Sequence, residues 1–166
     1  APVATIEHPS VTLAAGASGS SAGETVIRRP RLWGPAPDQV PHRYLAVTTV
    51  RAGNRISDRY ETRFGIRDVR FDADRGLVVN GVPVPLRGVN NHHDLGALGA
   101  AFNVRAAERQ LEILQAMGAN AVRTAHNPPA PGLLELTDRM GVLVVDEIFD
   151  VWQRRKTPLD FHLVFD

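Results

Sequence analysis

The sequence contains no cysteine, which excludes disulfides, thiolate metal sites and a cysteine nucleophile. It leaves the redox compartment open, and with it the localisation. No apolar run approaches the roughly 18 residues of a membrane-spanning helix, so no membrane partner is expected. Charge of one sign is also lacking: 19 Lys and Arg stand against 18 Asp and Glu, a formal net charge of +1. So even a balance leaves no electrostatic footprint for a polyanion, and no nucleic-acid partner is expected. Lysine is nearly absent, Lys156 being the lone one beside eighteen arginines. A coding bias explains this better than eighteen selected guanidinium contacts. The opening Ala1-Pro2-Val3-Ala4 has no basic region followed by an apolar stretch, and so does not read as a signal peptide. With a first residue other than Met, both ends read as cut from a longer chain. At 166 residues the chain is shorter than the roughly 250 of a complete (β/α)8 barrel.

What is present is ordinary globular material, 43% hydrophobic and 22% charged, which argues against global disorder. Its character changes near residue 66. Residues 1–66 are rich in Ala, Gly, Ser and Thr. Thr25-Val26-Ile27 and Tyr44 to Val50 are β-prone runs, with Pro30, Pro35, Pro37 and Pro41 between them. Short strands joined by turns predict a β-sandwich, present in part. Residues 67–86 read as a connector, with strands at Val69-Arg70-Phe71 and Leu77-Val78-Val79. Asn80-Gly81 supplies a two-residue hairpin turn, because both positions tolerate positive φ. Val82 to Leu86 is the return strand, kept to an edge by Pro83 and Pro85.

From Arg87 onward the pattern alternates between strand and helix. Arg87 to Asn90 is a strand, and a loop with Gly96 and Gly99 follows. A helix is predicted from Val104 to Met117 with Asn103 as N-cap. Val104, Ala107, Leu111, Leu114 and Met117 recur every three or four residues and so face inward. Gly118 stops it. Asn120 to Ala125 is the next strand. Pro131 to Met140 is a second helix with Leu133, Leu136 and Met140 inward, ended by Gly141. Val142 to Val145 is a third strand, apolar on both faces as in a covered parallel sheet. This β-α-β-α-β order predicts a parallel α/β unit.

Each of these strands runs into polar residues at its C-terminal end. The first reaches Asn90, Asn91, His92, His93 and Asp94, the second Arg123, His126 and Asn127, and the third Asp146 and Glu147, with Asp150 beyond. In a parallel α/β fold those ends converge on one crevice, so three clusters form one candidate site. A lone histidine is more often a satisfied core residue. The pairing of His92 with His126 at neighbouring strand ends favours a site instead. Strand alternation should turn His93 away from His92. By the same rule at most one of Asp146 and Glu147 faces inward, the other serving Arg123 or a helix end. Arg123, inside a strand, suits an ion pair as well as a ligand contact. Trp33 reads as a core or loop anchor. Trp152 reads the same way, although its place after a strand end makes it the better candidate of the two for a ligand platform. His8, His42 and His162 have no comparable setting.

The ordered string Phe64-Gly65-Ile66-Arg67, Asn80-Gly81, Leu86-Arg87-Gly88-Val89-Asn90 and His92-His93-Asp94 resembles glycoside hydrolase family 2. So do Met117 to Pro128, Asp138-Arg139-Met140-Gly141 and Asp146-Glu147. The close match covers about residues 62–166, with a weaker one at Arg31-Leu32-Trp33-Gly34-Pro35 and Tyr44-Leu45. The resemblance implies an immunoglobulin-like sandwich domain over 1–66, followed over 67–166 by the first three βα units of a TIM barrel. It implies retaining hydrolysis of β-glycosides by two carboxyl groups about 5–5.5 Å apart. In the family these are the Glu of an Asn-Glu pair on the fourth barrel strand and a Glu on the seventh. No Asn-Glu dipeptide occurs here, so neither catalytic residue is expected within the 166. His92, Asp94, His126 and Asn127 resemble sugar-binding positions. Asn90, Arg123, Asp146 and Glu147 resemble supporting ones, Arg123 matching the strand arginine near the nucleophile.

The substrate implied is a terminal β-D-glycoside. The loop His92 to Gly99 points to β-galactosidase over β-glucuronidase or β-mannosidase. No cofactor or resident metal is expected, although Mg²⁺ or Na⁺ in the parent enzyme stays open, since some β-galactosidases hold Mg²⁺ where Asp150 and Trp152 fall. A tryptophan cannot ligate it. Homo-oligomeric assembly of the parent is left open too. Two other classes compete. His92, His93, Asp94 and His126 could form the ligand set of a metal-dependent barrel hydrolase. The sandwich portion could be a non-catalytic interaction module.

Overall fold

The computed structural model describes residues 2–149 together with 157–158. Asp150, Trp152 and His162 lie outside the described residues. The chain divides into two compact units, Ala1–Arg31 and Leu32–Asp166. In the first unit the described residues form no helix or strand. Its hydrogen bonds include the turn Ala17 N to Ala14 O (3.0 Å) and a His8 Nδ1–Ser21 Oγ contact of 2.9 Å. The strand expected at Thr25-Val26-Ile27 is therefore not formed. A β-prone triplet is a strand only when another strand pairs with it, and none does here.

The second unit opens on a clasp. Trp33, 4% exposed, donates its backbone N–H to Ile66 O (2.8 Å) and its indole N–H to Asp138 O (2.7 Å). The Arg67 guanidinium lies 4.8 Å from the ring centroid. Trp33 is thus the anchor its surroundings suggested. Strands β1 (Tyr44–Ala52) and β2 (Arg55–Phe64) form a two-stranded antiparallel ribbon with a bulge between Val50 and Arg51. Tyr44 is half-buried and the rest of the ribbon exposed. Among the described residues no second sheet packs on it as the expected sandwich requires.

Strands β3 (Val69–Asp72), β4 (Gly76–Val79) and β5 (Val82–Pro83) make a three-stranded antiparallel sheet. The turn joining β4 to β5 has φ of 55° at Asn80 and 79° at Gly81, the left-handed pair of a type I′ turn. The return strand stops at Pro83 instead of reaching Leu86, because Pro85 has no N–H to give a ladder.

Strands β6 (Gly88–Asn91), β7 (Ala121–Thr124) and β8 (Leu143–Val145) form a parallel sheet with β7 central. Helix α1 (Val104–Ala116) starts where Asn103 Oδ1 accepts the Ala106 N–H. Helix α2 (Pro131–Met140) ends at Gly141, φ 72°. A Cβ on Gly141 would lie 2.8 Å from Ala36 N, so both conformation and space call for glycine there. The core joins Ala107 and Leu111 of α1, Val122 of β7, Leu133 and Leu136 of α2, and Val142. Two expected core positions are not buried: Val104 is 55% and Met117 74% exposed, at the two ends of α1. Strand β8 is less covered than its apolar sequence suggested, with Val145 47% exposed. Among the described residues no strand pairs with its outer edge.

Candidate functional site

Parallel pairing sets Asn90 opposite Arg123, and Arg123 opposite Val145. The polar residues after these positions therefore emerge side by side. Arg123 is central. Its Nη1 donates to Asn90 Oδ1 at 3.0 Å and its Nη2 to Glu147 Oε1. The second oxygen of Glu147 lies 3.0 Å from His126 Nδ1. The His126 ring meets that of His92 edge to face, with centroids 5.4 Å apart. A continuous string thus runs Asn90, Arg123, Glu147, His126, His92 across the ends of three strands.

Thr124, unremarked in the sequence, is buried beneath this string. Its hydroxyl donates to Asp146 Oδ1 (3.2 Å) and accepts the Glu147 N–H (3.1 Å). The polar pattern Arg123-Thr124 at a strand end was the signal available for it. Asp146 and Glu147 do divide as alternation requires, Asp146 to Thr124 and Glu147 to Arg123 and His126. It is Glu147 that takes the ion pair with Arg123. Partial burial works to raise its carboxyl pKa. The hydrogen bonds and positive charge of Arg123 and His126 outweigh that and hold it below the ordinary 4.5. This is the wrong direction for a general acid at neutral pH.

His93 has partners of its own, although it lines the same concavity as His92. Its Nε2 lies 3.0 Å from Ala100 O, and its ring faces Phe102. Beside the string lies a concavity lined in part by His92, Asp94, Phe102, Gln110, Asn127 and Leu133. Asp94 and Asn127 belong to this neighbouring hollow, which shares His92 with the string. One Asp94 oxygen accepts the Gly96 N–H (2.7 Å), and its backbone carbonyl accepts from Gln110 Nε2 (3.1 Å). Among the described residues no three His, Asp or Glu side chains converge as metal ligands would. What converges is an array of hydrogen-bonding groups suited to orienting a polyhydroxyl ligand. The carboxylate within it is already paired on both oxygens.

Two descriptions of one family match the chain. Glycosyl hydrolases family 2 matches residues 3–67, and its TIM barrel domain matches residues 72–153. A beta-galactosidase of Bacteroides ovatus is 46% identical over 143 residues, 86% of this chain and 16% of its own length. A beta-glucuronidase of Bacteroides fragilis is 31% identical over 142 residues, 86% of this chain and 20% of its own length. Among solved structures, a glycosyl hydrolase family 2 member from Bacteroides cellulosilyticus superposes with a TM-score of 0.76 at 37% identity. It covers 88% of this chain and 19% of that one. The chain thus spans a fifth or less of the length of these relatives. With likeness in sequence across 3–67 and 72–153, and in backbone over 88% of its length, the chain belongs to glycosyl hydrolase family 2.

Proposed function

We propose that the chain is part of a retaining exo-β-glycosidase that removes a terminal β-D-glycosyl residue, with a β-galactoside as substrate. The observation that carries this is the polar string across three parallel strand ends, in a chain 46% identical to a beta-galactosidase. On this reading residues 67–166 are the first three βα units of a TIM barrel. Residues 1–66 belong to an immunoglobulin-like sandwich completed by other parts of the parent. His92, Asp94, His126 and Asn127 bind ring hydroxyls, while Asn90, Arg123, Asp146 and Glu147 support them. Held in place before the substrate arrives, such groups orient it without reorganisation. The proton donor and nucleophile come from other barrel strands, so these 166 residues alone turn nothing over. Glu147, ionised and ion-paired, does neither job.

The beta-glucuronidases among the relatives support a second reading, in which the sugar carries a carboxylate. A β-mannoside is the third member of the same set. Assaying the purified 166-residue chain and its full-length parent on chromogenic β-galactoside, β-glucuronide and β-mannoside separates these. The expected result is hydrolysis of the galactoside by the parent and none by the chain. Turnover by the chain, or a parent active on glucuronide alone, overturns the reading.

A further inference from the structure

We propose that Glu147 is a positioning residue: it fixes the proton of His126 on Nδ1, which holds the ring's lone pair on Nε2, and at the same time sets the Arg123 guanidinium. An ionised carboxylate is acceptor only. The 3.0 Å contact between Glu147 Oε2 and His126 Nδ1 is therefore a hydrogen bond only if Nδ1 carries the proton. The geometry leaves Glu147 little freedom to do otherwise. Its backbone N–H is tied to Thr124 Oγ1 at 3.1 Å, its other oxygen takes Arg123 Nη2, and Arg123 is tied in turn to Asn90 at 3.0 Å. The neighbouring carboxylate, Asp146, is directed to Thr124. The His92 ring meets His126 edge to face at 5.4 Å. Which ring nitrogen of a histidine can accept is set by the bond the other one makes. Here that choice is made by a residue that need not touch the sugar. The inference rests on the proposed function only for what Nε2 meets; the tautomer itself does not depend on it.

The test is ¹⁵N NMR of the histidine-labelled 166-residue chain at about pH 8.5, where an ordinary imidazole is neutral. His126 is assigned by the loss of its signals in His126→Gln, and the amides of α1 and α2 report folding. The unaltered chain is expected to show the Nδ1–H tautomer. Glu147→Ala should move the majority to Nε2–H. Glu147→Gln, whose amide oxygen can still accept, should retain Nδ1–H, and Asp146→Asn should leave it unchanged. An Nε2–H ring in the unaltered chain, or an unmoved tautomer in folded Glu147→Ala, overturns the proposal. Should Glu147→Ala fail to fold, the unaltered chain decides between the two tautomers. Adding methyl β-D-galactoside separates the two readings. No shift of His126 with an intact Nδ1–H tautomer counts against the sugar site and leaves the positioning role standing.

Discussion

Asn120 shows how much one side chain contributes below the site. It is 1% exposed. Its Oδ1 accepts the Arg87 N–H at 2.8 Å and its Nδ2 donates to Pro85 O at 3.0 Å. Its backbone N–H reaches Arg87 O, and its carbonyl accepts the Leu143 N–H. One residue thus aligns the starts of β6, β7 and β8, which sets the level at which Asn90, Arg123 and Glu147 emerge. Asn120→Ala leaves the part-buried Arg87 N–H and Pro85 carbonyl without their side-chain partner. A loss of about 1–3 kcal/mol is expected from the two hydrogen bonds together, read as a lower urea midpoint at unchanged m-value. Little of this role could be read from the sequence, where Asn120 is one polar residue at a strand start. Glu147 is a similar case. Its place after an apolar strand was visible, and Arg123 was a partner open to it or to Asp146, but its contact with His126, 21 residues away along the chain, is named by no local pattern.

At the scale of elements, α1 and α2 carry the strongest sequence signal and form as expected. Their apolar residues recur at helical spacing, and their ends bear residues with specific backbone or capping roles, Asn103 and Gly141. Periodicity marks a face, yet it cannot say how far the opposing layer extends. Hence Leu111 is 1% exposed while Met117, six residues on along the same stripe, is 74% exposed. Leu111→Ala should cost about 2–5 kcal/mol through lost contacts and the cavity left behind. Met117→Ala should cost under about 0.5 kcal/mol. Denaturant unfolding of the two variants checks the contrast. Strand β2 had no such signal. Its alternation of Ile56, Tyr60 and Phe64 is broken by Asp58 and Thr62, and only pairing with β1 makes it a strand. Thr25-Val26-Ile27 is the converse, a propensity with no pairing to act on.

At the scale of the whole molecule, the β1–β2 ribbon leaves Leu45, Val47, Val50, Ile56 and Tyr60 between 45% and 67% exposed. Apolar area of this kind beside unpaired strand edges favours association. The chain is expected to self-associate as its concentration rises in sedimentation velocity. Tyr60→Lys, on the face shared with Val50, should reduce this. A single monomeric species at all concentrations would contradict it. The sequence by itself determined the parallel β-α-β-α-β grammar, the hairpin turn at Asn80-Gly81 and the clustering of polar residues after three apolar strands. Each is a local consequence of side-chain period or of backbone freedom at one or two positions. Only the tertiary structure decided which of those polar residues meet. It joined Asn90, Arg123, Glu147, His126 and His92, set Asp94 and Asn127 in an adjoining hollow that shares His92, and gave His93 partners of its own. The reason is register. In a parallel sheet the level of each strand is fixed by hydrogen bonds to its neighbours and by the helices packed on it, and a shift of one residue would turn every side chain to the opposite face.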